Sequence, residues 1–122
     1  MKKHCIFILH GSSSVESKKI CDILEQQLSK KLKIPFCISY LKESSPSFSE
    51  ALDLAYLNGA RSIICLPLFL LPGSHILKDI PAIIGDFTKG HSDCNIELLP
   101  CLAENEYFID FILKILGTNN GR

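Results

Sequence analysis

Short apolar runs alternate along the chain with longer stretches in which apolar residues recur every three or four positions. His4–Leu9 (H-C-I-F-I-L) reads as a first strand. From Val15 to Leu32, Ile20, Ile23, Leu24, Leu28 and Leu32 recur at helical spacing, with lysines and glutamates between them, which predicts an amphipathic helix. Phe36–Leu41 is a second strand. Ser47 and Glu50, at capping-box spacing, open a helix that turns Phe48, Ala51, Leu52, Ala55 and Tyr56 inward and stops at Asn58-Gly59. Ser62–Leu68 is a third strand, almost without polar side chains, as expected of a central strand covered on both faces. A helix is predicted over about Ile80–Thr88, with Pro81 in its first turn, where a missing N–H costs little. Asn95–Leu99 is a fourth strand, and Glu104–Leu116 a last helix with Tyr107, Phe108, Phe111, Ile112 and Ile115 inward.

Strands that alternate with helices predict an α/β fold, a four-stranded parallel sheet with helices on both faces. Right-handed crossovers favour the strand order 2-1-3-4. Residues 1–117 form one domain without repeat or linker, and residues 118–122 are a tail expected to fray. In such sheets ligands bind beyond the carboxyl ends of the strands, at the point where the strand order reverses, here between strands one and three. His10 lies at the end of strand one and His75 in the connection after strand three, so both point to that crevice.

That connection is unusual. Phe69, Leu70, Leu71 and Pro72 prolong the apolar run before Gly73-Ser74 break it, and His75 follows. Such a segment suits the wall of a pocket, a core contact or a dimer contact, and the pattern does not choose among them. Two neutral imidazoles can bind Co²⁺, Ni²⁺, Fe²⁺ or Zn²⁺, but two ligands are too few for a closed structural site. Either could instead act as a general base near neutral pH. Gly11-Ser12-Ser13-Ser14 could receive a phosphate or carboxylate through backbone N–H groups, or simply cap the next helix. His4, His91, Lys42, Glu43, Lys78 and Asp79 fit ordinary packed or solvated roles.

Composition narrows the partners. Thirteen basic and thirteen acidic residues cancel, so no overall field recruits nucleic acid or an anionic membrane. No apolar run approaches the roughly 20 residues of a membrane span. Lys2-Lys3 precede an apolar run too short for a signal peptide, which points to a cytoplasmic protein. The six cysteines are scattered without a C-x-x-C pair and are expected to be reduced packing residues. A hydrolase that uses His10-Gly11 in an oxyanion loop would need a nucleophile motif, and no G-x-S-x-G is present.

His10-Gly11-Ser12, P-S-F-S-E-A-L (Pro46–Leu52), N-G-A-R (Asn58–Arg61) and L-P-L-F-L-L-P-G-S-H-I-L-K-D-I-P (Leu66–Pro81) together resemble the small, single-domain class II tetrapyrrole chelatases, the sirohydrochlorin cobaltochelatase-like proteins. The likeness runs in order through nearly the whole chain. It implies a chelatase-like half-domain that pairs as a homodimer and inserts a divalent metal (Co²⁺, Ni²⁺ or Fe²⁺) into sirohydrochlorin or a related early tetrapyrrole. The metal is substrate, with no permanently bound cofactor and no nucleotide hydrolysis. His10 and His75 match the family's two active-site histidines, as metal ligands and proton acceptors. The macrocycle would lie against Phe69, Leu70, Leu71 and Pro72, with Gly73-Ser74 as the turn, and its carboxylates would meet Gly11, Ser12, Ser13 and nearby lysines. Three positions depart from the family: Ser13 stands where an arginine is usual, Leu9 where a glycine is common, and Lys42 where an acid is common. They leave a second reading, a non-catalytic metal- or tetrapyrrole-binding protein on the same scaffold.

Overall fold

The computed structural model describes residues 3–118, apart from the side chains of residues 75–77. The strands are β1 (Lys3–Leu9), β2 (Phe36–Tyr40), β3 (Ser62–Pro67) and β4 (Asn95–Leu98). They form one parallel sheet in the order β2-β1-β3-β4, as the sequence predicts. The helices are α1 (Val15–Lys31), α2 (Phe48–Leu57), α3 (Ser74–Gly90) and α4 (Phe108–Ile115), with a short 3-10 turn at Leu102–Glu104. The last four residues of the expected tail, 119–122, lie outside the described residues.

The pleat sorts β1 between two layers. Ile6 and Ile8 join Ile63 and Cys65 of β3 in the larger core, under Phe48, Leu52 and Ala55 of α2 and Ile80 and Phe87 of α3. Cys5 and Phe7 face the other way and meet Ile38, with Leu24, Leu28 and Leu32 packed against them. Ile20 and Ile23, also expected inward, are 67% and 58% exposed. Burial along β3 alternates: Ile63, Cys65 and Pro67 are buried, whereas Ile64 and Leu66 are only half-buried. The apolar run at β3 was expected to be covered on both faces, but among the described residues only the α2/α3 side is closed.

α2 begins where predicted. The Ser47 hydroxyl accepts from the Glu50 N–H (3.1 Å), and the Glu50 carboxylate accepts from the Ser47 N–H (2.8 Å). At its end Gly59 takes φ +99°, which lets the Ala60 N–H return to the Ala55 carbonyl (2.9 Å).

Two helices differ from expectation. α3 starts at Ser74 rather than Ile80, so Gly73 caps it in extended backbone and Ser74 is its first residue, not part of a turn. Pro81 therefore sits inside the helix instead of in its first turn. Its fixed φ is already helical, and it lies on the exposed side, where water can take up the carbonyl that lacks an N–H partner. α4 starts at Phe108 rather than Glu104. The Leu102–Glu104 turn and Asn105 intervene, and the Asn105 side chain accepts from the Tyr107 N–H (2.8 Å), a local bond that competes with helix. Tyr107, Phe111 and Ile115, all expected inward, are exposed, and α4 buries no residue.

The six cysteines are free thiols, as expected, and Cys5, Cys65, Cys94 and Cys101 are buried. Burial pushes Cys5 from its ordinary 9.0 up to about 11 and Cys65 up to about 12. His91 is packed, stacked on Phe87 at 4.2 Å with Nδ1 2.8 Å from the Phe87 carbonyl.

Candidate functional site

β1 ends at Leu9, and His10 is the first residue beyond it, with an exposed side chain. β1 is flanked by β2 and β3, and all three strands finish at the same end of the sheet. The pairing continues past the strands on both sides. The Leu41 N–H donates to the Leu9 carbonyl (2.9 Å), and the Lys42 N–H to the His10 carbonyl (3.0 Å). On the other side the Leu68 N–H donates to the Ile8 carbonyl (2.9 Å). His10 is thus held by its backbone while its ring stays open.

Gly11 makes the close approach possible. It takes φ +95°, and a Cβ there would fall on the Lys42 carbonyl. The Ser44 hydroxyl then donates to the Ser12 carbonyl (3.3 Å), joining the loops after β1 and β2. Ser12 accepts from the Ser14 N–H (3.0 Å), and Ser14 caps α1 by accepting from the Ser17 N–H (3.3 Å). The serine run therefore serves as a cap. Ser13 is exposed.

Phe69 is not an open platform. It is 6% exposed, in the larger core, and its ring meets the His10 ring edge-on at 4.6 Å between centroids. It braces the imidazole. Leu70 and Leu71 are exposed, at 53% and 67%, and Pro72 is half-buried. The backbone of this segment is tied down, since the Leu102 N–H donates to the Phe69 carbonyl (2.9 Å) and the Ala103 N–H to the Leu70 carbonyl (3.0 Å). His75 falls in the first turn of α3, and its side chain lies outside the described residues. The two histidines stand beyond the carboxyl ends of adjacent strands, β1 and β3.

A cavity of about 1000 Å³ opens on the β2 side of His10, toward α1. His10, Ser12, Lys18, Cys21, Tyr40 and Glu43 are among its walls. Phe69–Ser74, expected to line the pocket, do not contribute to it. Burial, helped by a hydrogen bond with the Cys21 thiol, pushes the Tyr40 hydroxyl up to about 12, so it stays protonated and can donate. Among the described residues no three His, Cys, Asp or Glu side chains cluster to hold a metal ion.

Glu43 is the residue that sequence reasoning passed over as surface. Among the described residues it is the one non-glycine with positive φ (62°), and it stands in the cavity wall. Such backbone costs about 1–2 kcal/mol and tends to persist where function holds it. The available signal was its place next to Lys42, just past the end of β2. Chemically, the site offers an open imidazole, the carboxylates of Glu43 and Asp22, a neutral phenol, an ammonium group and several hydroxyls around one large concavity.

Comparison with known proteins bears on this geometry. A sirohydrochlorin cobaltochelatase of Methanocaldococcus jannaschii is 30% identical over 87 residues, which cover 70% of this chain and 61% of that protein. A chloroplastic sirohydrochlorin ferrochelatase of Arabidopsis thaliana is 26% identical over 108 residues, 88% of this chain and 48% of that protein. The chain thus spans about half to three-fifths of the length of these curated relatives. The crystal structure of a putative cobalamin biosynthesis CbiX protein from Marinobacter aquaeolei VT8 shares the fold, with TM-score 0.79, 24% identity and 94% of both chains covered. The CbiX family model matches residues 4–118, and the chain belongs to the CbiX family.

Proposed function

We propose that this protein is a sirohydrochlorin-type chelatase, which inserts a divalent metal into an early tetrapyrrole without nucleotide hydrolysis. The observation that carries the reading is the placing of His10: an open imidazole at the carboxyl end of a central strand, braced by Phe69, at the mouth of a cavity of about 1000 Å³. That volume suits a large conjugated ring. Relatives with 30% and 26% identity carry the names cobaltochelatase and ferrochelatase.

In this reading His10 and His75 hold the incoming ion, two ligands being enough to capture it and few enough to release it. Co²⁺, Ni²⁺ and Fe²⁺ all suit imidazole. The macrocycle exchanges two pyrrole N–H protons for the ion, so each turnover consumes one metal ion and one free ring and releases two protons. His10, once the metal has left it, is a proton acceptor at the ring, and Glu43 is a second one, standing one residue beyond the position Lys42 has taken from the usual acid. Lys18, the hydroxyls of Ser12 and Ser13, the Gly11 backbone and the Tyr40 hydroxyl meet the ring's carboxylates. Exposed Leu70 and Leu71, with Pro72, Gly73 and Ser74, bound the ring on the β3 side. Six free thiols fit a reducing compartment, the cytoplasm. The chain works as a homodimer.

The rival, a carrier that binds metal or ring without insertion, rests on Ser13 and Lys42. The test is to follow the absorption of sirohydrochlorin with Co²⁺, Ni²⁺ or Fe²⁺, with and without the protein. The chelatase reading expects insertion faster than the spontaneous rate for at least one metal. Binding of ring or metal with no faster insertion would favour the carrier.

A further inference from the structure

α1 contributes two kinds of side chain. Leu24, Leu28 and Leu32 pack on the sheet, whereas Lys18 and Asp22 line the cavity together with Ile20 and Cys21. Ile20, 67% exposed, gives this wall an apolar surface. Lys18 and Asp22 are four residues apart, so their side chains leave the helix on one face, with Cβ atoms about 5–6 Å from each other. Both are exposed, and among the described residues neither side chain is tied into an ion pair or a hydrogen bond. The Asp22 charge reaches across to β2. Burial and the Cys21 thiol come first in pushing the Tyr40 hydroxyl up, and the Glu25 and Asp22 carboxylates add to them.

Metal insertion as described above gives Asp22 no task. Lys18 holds one of the ring's carboxylates, and Glu43, on the loop after β2, takes a proton. A carboxylate one helical turn beyond Lys18 repels the substrate's own charges, and the cavity wall sets two carboxylates against one ammonium group. At about 5–6 Å that repulsion acts well inside the Debye length of about 8–10 Å at ordinary ionic strength. A repulsive group weakens binding, and what it brings in return is discrimination.

We propose that Lys18 and Asp22 orient the macrocycle. Lys18 draws in an edge that carries a carboxylate, and Asp22 turns away any edge that would set a second carboxylate within a helical turn of the first. Asp22 is thus a specificity-determining residue, and the ring this site accepts has a carboxylate beside an uncharged stretch of its rim. The inference takes its ligand, an anionic tetrapyrrole, from the chelatase reading and goes beyond that reading in fixing how the ligand is seated. With Asp22 in place the ring has one seating at His10. Without it, further seatings fill that keep the pyrrole nitrogens away from the imidazole.

Titration of metal-free sirohydrochlorin into the whole chain, followed by absorption and by the visible circular dichroism of the bound ring, reads affinity and seating together. In dilute salt Asp22→Asn should bind the ring about fivefold tighter and Lys18→Gln about fivefold weaker, the size of one exposed charge contact. Both differences should vanish near 1 M salt, where the Debye length is about 3 Å. The circular dichroism of the ring should change shape in Asp22→Asn, because more than one seating is filled. Asp53→Asn, the same charge change at an exposed position of α2, should alter none of this. In the insertion assay Asp22→Asn should lower kcat and KM together, about fivefold each, since misplaced rings are bound but idle. An Asp22→Asn chain that binds the ring no tighter, or whose gain survives high salt, overturns the inference. An unchanged ring spectrum, or a fall in KM with kcat unaltered, also overturns it, because Asp22 then opposes charge without orienting anything. A chain that seats the ring as predicted yet inserts no metal leaves the inference standing and removes the chelatase reading in favour of the carrier. A chain that binds no ring overturns both.

Discussion

The imidazole of His10 stands edge-on against the buried ring of Phe69, with centroids 4.6 Å apart and planes at 61°. An exposed imidazole is thereby held on one side by a core residue, which limits its rotamer freedom.

Phe69→Leu tests that bracing. A swap of this kind in the core costs about 1–1.5 kcal/mol of stability, so the fold survives. With His10 free to swing, insertion should slow about tenfold while the KM for the tetrapyrrole stays put. Steady-state kinetics beside a urea titration separates the two effects. A rate loss no larger than the stability loss accounts for would make Phe69 merely a core residue.

Gly11→Ala should be costly both ways. A Cβ there meets the Lys42 carbonyl, and φ +95° is strained for any L side chain. A loss of about 2–4 kcal/mol is expected from clash and strain together. Chemical denaturation reads the stability, and Co²⁺ titration reads the displaced His10.

Glu43→Gly should separate strain from function. Glycine accepts φ 62° without penalty, so stability should stay equal or rise by about 0.5–1 kcal/mol. If the carboxylate takes protons from the ring, insertion should fall at least tenfold. An unchanged rate would return Glu43 to the surface role first assigned to it.

Alkaline pH should unfold the protein early. The folded state keeps the Cys5 and Cys65 thiols protonated to about 11 and 12, while unfolded thiols ionise near 9.0. Between those values unfolding releases protons, so stability is flat below about pH 8 and falls as pH rises through 9 toward 12. Thermal melts across that range should show the slope, and Cys65→Ala should flatten it.

The sheet order and the crevice were legible because they follow from period and handedness alone: β1 and β3 are continuous apolar runs, and α1 and α2 carry side chains at helical spacing. The start of α3 was not. Pro81 reads as a first-turn residue, yet proline's φ is equally helical on an exposed face deeper in a helix. The inward face of α4 was misread for a different reason. Tyr107, Phe111 and Ile115 have the periodicity of a buried stripe, and periodicity does not say whether anything covers the stripe. The cavity wall at Glu43 and Tyr40 escaped notice because it is assembled by the Leu9–Leu41 and His10–Lys42 backbone bonds, which join segments about 30 residues apart.

The central claim is that His10 and His75 deliver the metal. The most direct measurement is the rate of metal insertion into sirohydrochlorin by wild type, His10→Ala and His75→Ala, each at saturating Co²⁺ and corrected for the spontaneous reaction. The account predicts that either substitution brings the rate to within a few-fold of the spontaneous one, with the fold intact by circular dichroism. Wild-type rates in both variants would contradict it.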